Sequence, residues 1–329
     1  MLNRFAKGGL ALVLSCILSA TTAAQGLTKI TIGISSPSVP AAGAKIANEL
    51  GLFKKHGIEV KLTELESASV ATMALISGSV DFTSASPSDV VLAQARGQKL
   101  VAVTNVYRSF AGVIVLSKAA AAKLSVNAQS PVVQRLKALD GLLIASTSAT
   151  SPYTLALGAA TQGVGANVRI TYMAQPAMVA ALETGAIHGF IASSPFYVKP
   201  VLKETGMIWI SGPGGEFPPL ASQANSQTLN TKHEYAAANP DVIRRLRAVF
   251  ADLSKTAEQR PGDVRAAIAK LYPDLDNRTL ELLFKTEALG FRTNGLTAPD
   301  MAREIAFVRL ANVQLAGLDK LDPAALLAP

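Results

Sequence analysis

Five short segments rich in serine and threonine are the first candidates for binding chemistry. Each lies between a predicted strand and a predicted helix, at residues 35–38, 67–69, 84–87, 146–151 and 193–195. Backbone N–H groups and hydroxyls at the start of a helix favour anions and polar oxygens. Serine also caps helices for structural reasons alone, so one such segment indicates little. Five of them, spread over two parts of the chain, predict a ligand-binding cleft.

Larger side chains near these segments are further candidates for ligand contact. Arg108 ends a predicted strand, where it could hold a carboxylate or sulfonate through two parallel hydrogen bonds or simply lie in solvent at a hinge. Tyr107, Tyr153 and Phe196 could form walls for a flat ligand or could belong to the core, and the adjoining Pro195 is a further candidate contact. Both interpretations stay open at the level of the sequence.

No arrangement of side chains in the sequence indicates catalysis. The three histidines, His56, His188 and His233, are isolated and lack the spacing of metal ligands. There is no G-x-S-x-G motif, and Glu64 and Glu66 have no evident partner acid for general acid–base work. We therefore expect a protein that is not an enzyme and that uses neither a metal nor a cofactor.

The first 24 residues are typical of a secretory signal peptide. Positive charges near the start precede an apolar run at 10–18, and Thr22-Ala23-Ala24 supplies the small residues that a signal peptidase recognises. The apolar run is shorter than the ~20 residues of a membrane-spanning helix. We expect cleavage after Ala24 and a periplasmic protein. Lipidation of Cys16 is the alternative, but the residues before it match a lipobox poorly.

The composition indicates a well-packed globular protein of about two domains. Of the 329 residues, 49% are hydrophobic and 16% are charged. Removal of the signal peptide would take away Cys16, the only cysteine, and with it any disulfide or thiolate metal site. It would also lower the formal net charge from +8 to +6, because Arg4 and Lys7 leave with it. The basic residues are scattered without interleaved aromatic residues, so we do not expect nucleic-acid binding.

The hydrophobic pattern predicts alternating strands and helices. Apolar residues at 30–34 repeat with the period of two of a strand, and helical spacing predicts a single helix over 41–53. Strands that alternate with helices imply βαβ units and a mostly parallel sheet. Residues 212–219 break the pattern and indicate a crossover, and the chain from Thr231 onward is predicted to be mostly helical.

An internal repeat links two parts of the chain. Residues 74–87 and 181–195 each indicate a helix, a glycine, a buried strand and a Ser-Pro pair that starts another helix. The repeat has two explanations. Either the protein consists of two lobes of similar build, or the likeness is one that any two βαβ units share.

The motifs "ANELGLFKKHGIEV" and "SGSVDF" carry a resemblance to a known family. Over roughly residues 27–255 the sequence resembles the sulfonate, nitrate and thiamine-precursor binding proteins of ABC importers. The resemblance implies an α/β fold of two lobes, each a mostly parallel sheet flanked by helices, with the ligand cleft between them. It divides the chain into a signal peptide at 1–24, lobe 1 at 25–108, lobe 2 at 109–212, and a return crossover with C-terminal helices on lobe 1 at 213–329.

The resemblance also implies which residues bind the ligand. The matching serines are Ser36, Ser38, Ser69, Ser84, Ser86, Ser148 and Ser151, and Arg108 matches more weakly. His188 is a departure, because the family usually has Asp at that position of the second repeat. The cysteine-rich motif of a related thiamine-pyrimidine synthase is missing, which argues against that enzyme.

We therefore expect a periplasmic solute-binding protein that closes two lobes on a small organic anion, such as a sulfonate or a carboxylate. Its expected partners are this solute and an ABC permease in the inner membrane, and the protein is expected to be a monomer. One alternative is a thiamine-type heterocycle, for which Glu66, Tyr153 and Phe196 would supply acidic and aromatic walls. A second alternative is a sensor subunit that presents its closed form to a signalling receptor.

Overall fold

Alternating strands and helices form two α/β lobes in the computed structural model, which describes residues 26–149, 151–218, 225–310 and 315–329. The predicted signal peptide, its cleavage site at Ala24 and Cys16 lie outside the described residues. So do Thr150 in the fourth serine-rich segment and Pro219 at the end of the predicted crossover. Within these ranges, no helix combines the length and the apolar composition needed to cross a bilayer.

The first lobe contains a five-stranded sheet with the order β2-β1-β3-β10-β4. Its strands are β1 (Thr28–Ile34), β2 (Ile58–Glu64), β3 (Phe82–Ala85), β4 (Leu100–Arg108) and β10 (Asn225–Lys232). The helices between them are α1 (Gly43–Glu49), α2 (Leu52–Lys55), α3 (Ala68–Ser77) and α4 (Pro87–Ala95). β1 is parallel to β2 and β3, whereas β10 is antiparallel to both of its neighbours.

The second lobe contains another five-stranded sheet, with the order β7-β6-β8-β5-β9. Its strands are β5 (Val113–Ser117), β6 (Leu143–Ser146), β7 (Arg169–Tyr172), β8 (Gly189–Ala192) and β9 (Gly206–Ser211). Its helices are α5 (Lys118–Ala121), α6 (Val132–Lys137), α7 (Pro152–Gln162), α8 (Gln175–Glu183) and α9 (Val198–Leu202). β6 is parallel to β7 and β8, whereas β5 is antiparallel to β8 and β9.

The two sheets have the same topology, which explains the internal repeat. β3 and β8 each occupy the central position, and the glycines before them, Gly78 and Gly185, have φ of +79° and +75°. The two copies differ after the Ser-Pro pair. Pro87 begins α4 as predicted, but a turn follows Pro195 and the next helix begins only at Val198. The expectation of two lobes of similar build is thus confirmed, and the expectation of a helix starting at Pro195 is wrong.

The single helix predicted over 41–53 is in fact broken. A 3-10 helix at Pro40–Ala42 leads into α1, and Gly51 with φ of +71° separates α1 from α2. A left-handed backbone ends an α-helix, and glycine adopts it without the steric penalty of a Cβ atom. The apolar spacing continues through the break, because α1 and α2 both pack on the same core.

Two crossovers join the lobes side by side. The first is 109–112, and the described part of the second is 212–218; Gly212 N–H donates to Gly112 C=O at 2.9 Å. Phe110 in the first crossover packs edge-to-face against Tyr153 at 5.8 Å and against Phe217 at 4.8 Å, between ring centroids. An aromatic cluster therefore fills the space at the hinge.

The C-terminal helices pack on the first lobe, and two of them also reach the second. They are α10 (His233–Ala238), α11 (Pro240–Gln259), α12 (Pro261–Leu271), α13 (Asn277–Glu287) and α14 (Ala298–Leu310). α11 contacts β4 and α1, and α14 contacts α4. α13 contacts α9 of the second lobe and α14 contacts α7, so these two helices bridge the lobes.

Candidate functional site

A cavity of about 560 Å³ lies between the two lobes at the carboxyl ends of β1, β2, β3, β6 and β7. Ligands of open α/β sheets bind at this edge of the sheet. The first lobe lines it with Ser35, Ser36, Pro37, Ser38, Glu64, Leu65, Glu66, Ser67, Ala68, Ser86 and Gln227. The second lobe lines it with Thr147, Ser151, Pro152, Tyr153, Tyr172, Met173, Ala174, Gln175 and Pro176.

Four helices begin at the wall of this cavity. Their N-cap residues all line it, namely Ser67 of α3, Ser86 of α4, Ser151 of α7 and Ala174 of α8. The three serine hydroxyls accept hydrogen bonds from backbone N–H groups of their own helices at 3.1–3.3 Å. These hydroxyls are therefore used as caps, and the attraction for a ligand anion comes from the positive ends of the helices.

Five of the predicted binding residues line the cavity together: Ser36, Ser38, Ser86, Ser151 and Tyr153. They come from loops that follow three different strands and from the first turn of α7. Burial raises the pKa of the Tyr153 phenol, while hydrogen bonding with Ser193 opposes the rise. The phenol therefore stays protonated at neutral pH.

The other predicted residues do not line the cavity. Ser69 is exposed in the first turn of α3, and the buried Ser84 hydroxyl donates to Ala41 C=O at 3.1 Å. Ser148 lies beside the cavity, where its C=O accepts a hydrogen bond from the Thr154 hydroxyl at 2.6 Å. The half-buried Pro195 and Phe196 belong to the turn before α9, and Arg108 is exposed where β4 ends.

Gln175 connects the two walls of the cavity. Its side-chain Nε2 donates to the Ser36 hydroxyl of the first lobe at 3.1 Å. Its Oε1 accepts from Ser193 N–H at 2.9 Å and from the Ser193 hydroxyl at 3.1 Å, so the amide has a fixed orientation. Val39 N–H of the first lobe also donates to Ser194 C=O of the second at 3.0 Å. These two hydrogen bonds hold the lobes in direct contact.

The charges in the wall are acidic. Among the described residues that line the cavity, Glu64 and Glu66 are the charged ones, and Lys45 pairs with Glu64. Both acids belong to the first lobe, and the described lining of the second lobe is uncharged. No group of three or more acidic, histidine or cysteine side chains in the described part of the chain could hold a metal ion.

The sequence of this chain matches the model of a known protein family. The model of the NMT1-like family matches residues 23–272, which is most of the chain. The chain belongs to the NMT1-like family. No curated protein sequence matches it.

Solved structures share the fold of this NMT1-like protein at low sequence identity. A protein of Bordetella bronchiseptica RB50 has a TM-score of 0.77 at 18% identity, over 91% of this chain and 94% of that one. The alkanesulfonate-binding protein SsuA from Xanthomonas axonopodis pv. citri, bound to MOPS, has 0.68 at 18%, over 93% and 98%. The periplasmic nitrate-binding protein NrtA from Synechocystis PCC 6803 has 0.65 at 12%, over 91% and 87%. The resemblance to ABC-importer binding proteins and the two-lobed α/β fold are thereby confirmed.

His188 of the NMT1-like chain is a structural residue that takes over the role of an aspartate. In the first lobe, Asp81 Oδ2 accepts a hydrogen bond from Thr31 N–H in β1 at 2.7 Å. At the equivalent place in the second lobe, His188 Nδ1 accepts from Leu143 N–H in β6 at 2.8 Å. Both side chains satisfy a backbone donor where the ladder between two parallel strands begins. His188 therefore has a structural role just before β8, and it is not among the residues that line the cavity.

The NMT1-like chain also contains a buried acid at the hinge. Glu287 at the end of α13 accepts hydrogen bonds from the phenols of Tyr107 in β4 and Tyr197 before α9, the latter at 3.1 Å. Burial raises the pKa of Glu287, and the bond from Tyr107 is the strongest influence that opposes the rise. The carboxyl group joins the two lobes outside the cavity, so we assign it to the hinge.

The lining residues that the sequence analysis missed include Gln175 and Gln227. Gln175 could have been noticed, because it begins the helix of the second repeat copy next to Pro176. Gln227 carries no local signal, because it lies in the antiparallel strand β10, which reaches the cavity only through the tertiary fold.

Proposed function

We propose that the protein is a periplasmic solute-binding protein of an ABC importer and that its lobes close on one small organic solute. The observation that carries this proposal is the cavity with one wall from each lobe, held together by the bond between Gln175 and Ser36. A ligand that contacts both walls stabilises the closed form, and closure is then a shift of population. The size of the cavity suits a small molecule.

The four helix N-termini support an anionic group on the solute, such as a sulfonate or a carboxylate. Recognition would then rest on backbone dipoles, because Arg108 lies outside the cavity. The thiamine-type heterocycle is the second candidate. It is favoured by Glu66 and Tyr153, which both line the wall, whereas Phe196 does not.

The remaining parts of the proposal follow the family resemblance. They are the absence of catalysis, an inner-membrane permease as partner, a monomeric state and export with cleavage after Ala24. The proposed limits of the lobes are 25–108 and 109–212, with the return segment at 213–329. A sensor subunit would use the same closed surface, and a permease gene beside this one would favour the importer.

The test is a thermal-shift screen of the purified exported protein against sulfonates, carboxylates, nitrate and thiamine-type heterocycles. A solute at 100 times its Kd stabilises the folded protein by about 2.7 kcal/mol, which raises the Tm by several degrees. Small-angle scattering with a solute identified in this way should show a smaller radius of gyration, because the lobes close. Stabilisation by no compound in the screen would contradict the proposed function.

The Gln175→Ala variant tests the contribution of the interlobe bond. It removes the bond to Ser36 and leaves Ser193 N–H without its acceptor, so we expect binding to weaken by about 1–3 kcal/mol. Gln162→Ala is the matched control, because Gln162 is exposed at the far end of α7. Equal affinity of the two variants in titration calorimetry would show that Gln175 does not take part in closure.

A further inference from the structure

The Gln227 side chain has a hydrogen-bonding atom that the described protein does not satisfy. Gln227 is only 7% exposed, lines the cavity, and its Oε1 has no hydrogen-bond partner among the described residues. Buried polar atoms of native proteins nearly always have a partner, because an unpaired one costs free energy. The natural source of a partner is the solute that fills the cavity.

An Oε1 atom accepts hydrogen bonds, so its partner must be a donor. The negative charge of the first-lobe wall also favours a hydrogen-bond donor as the partner. Glu64 and Glu66, the acids of the wall, belong to the same lobe as Gln227. Glu66 forms no ion pair within the described ranges, and Glu64 pairs with Lys45. The first-lobe wall therefore combines an unsatisfied acceptor with negative charge.

The second-lobe wall is different. Two helices begin in each wall, but the described lining of the second lobe has no carboxylate, whereas Glu64 and Glu66 lie in the same wall as the N-termini of α3 and α4. The N-termini of α7 and α8 therefore act without a carboxylate in their own wall. A solute with one anionic end and one N–H-donating end would match this asymmetry. The anionic end would face α7 and α8, and the nitrogen would face Gln227 and the acids.

We propose that Gln227 is a specificity-determining residue that selects a solute with an amino group in addition to its anionic group. This inference rests on the proposed function and deepens it, because it names the solute class of the same cavity. It separates amino sulfonates and amino carboxylates from simple alkane sulfonates and carboxylates, which offer no donor to Oε1.

The experiment is titration calorimetry with two matched pairs of compounds. They are 2-aminoethanesulfonate against ethanesulfonate, and 3-aminopropanoate against propanoate. We expect the amino compound of at least one pair to bind wild-type protein at least tenfold more tightly than its partner. In Gln227→Met, which keeps the length of the side chain but removes the acceptor, this ratio should fall toward one. Gln227→Glu keeps an acceptor and should retain the preference, as should the control Gln162→Ala.

The unliganded variants provide a second measurement. Because Oε1 has no partner in the described protein, Gln227→Met should melt at or above the temperature of the wild type. A Tm several degrees lower in Gln227→Met but not in Gln227→Glu, which replaces the amide nitrogen and keeps the oxygen, would show that the oxygen has a partner within the protein, and the inference would be overturned.

The outcomes distinguish this inference from the proposed function. Equal or tighter binding of the simple compound in both pairs overturns the inference and leaves a solute-binding protein. A preference for the amino compound that Gln227→Met leaves unchanged overturns the assignment to Gln227. Failure of all four compounds, when the thermal-shift screen has identified another solute, overturns the solute class. Failure of every compound in that screen instead contradicts the proposed function itself.

Discussion

Asp89 is expected to make the protein less stable as the pH rises toward neutrality. It is the third residue of α4, and its carboxyl group accepts a hydrogen bond from the backbone of the N-cap residue Ser86, as in a capping box. The residue is half-buried, but its Oδ2 is shielded from solvent and has no partner among the described residues. Burial raises the pKa of Asp89 to about 7, and the nearby Glu304 contributes to the rise.

The sign of the effect follows from the two pKa values. An aspartate in an unfolded chain titrates near 3.9, so at intermediate pH the folded protein binds a proton that the unfolded chain has lost. The stabilisation is complete below about pH 4 and is lost as the pH rises through about 7. Between pH 4.5 and pH 8 the loss amounts to about 3 kcal/mol of the free energy of unfolding, with one pKa unit equal to about 1.4 kcal/mol.

The Asp89→Asn variant removes this titration. Urea unfolding at pH 4.5, 6 and 8 should show that the variant becomes more stable relative to the wild type by about 3 kcal/mol over this range. The exposed Asp274→Asn is the matched control, and its curve should run parallel to that of the wild type. Parallel curves for Asp89→Asn and the wild type would refute the reasoning, because the carboxyl group would then titrate alike in both states.

Two further predictions concern single contacts. His188→Ala should lower the free energy of unfolding in urea by about 0.5–1.5 kcal/mol, because the exposed hydrogen bond to Leu143 N–H is lost. His188→Asp should keep most of that free energy, and equal losses in the two variants would exclude this role. Gly290→Ala should destabilise by about 1–3 kcal/mol, because a Cβ atom there would overlap the Tyr107 ring. Gly262→Ala, in open space within α12, should instead be neutral or slightly stabilising, and a common effect of both changes would contradict the packing argument.

The strands and the internal repeat could be predicted because they depend on local patterns. Strand β1 follows from the alternation at 30–34, and the two glycines before β3 and β8 mark the repeat. The break at Gly51 was not predicted, because the apolar spacing continues through it while the backbone does not. The position of β10 between β3 and β4 is likewise a tertiary property, because strand order depends on contacts between distant parts of the chain.

The candidate site was predictable only where position along a strand determines position in space. Ser36, Ser86 and Ser151 reach the cavity because the loops after parallel strands meet at one edge. Arg108 also ends a strand, but the sequence does not tell toward which side its side chain turns, and it is exposed. Gln227 lies in an antiparallel strand that enters from the second crossover, so no local pattern connects it with the serine loops.

The placement of β10 also has a consequence for the order in which the protein can assemble. The second sheet is made from one continuous stretch, 113–211, whereas β3 and β4 of the first sheet have no contact along their length until residues 225–232 fill the gap between them. In a chain that emerges amino end first, the lobe that appears first is thus completed last. Until β10 is made, the facing edges of β3 and β4 have unpaired backbone groups, so a delay in synthesis before residue 225 exposes both edges to mispairing.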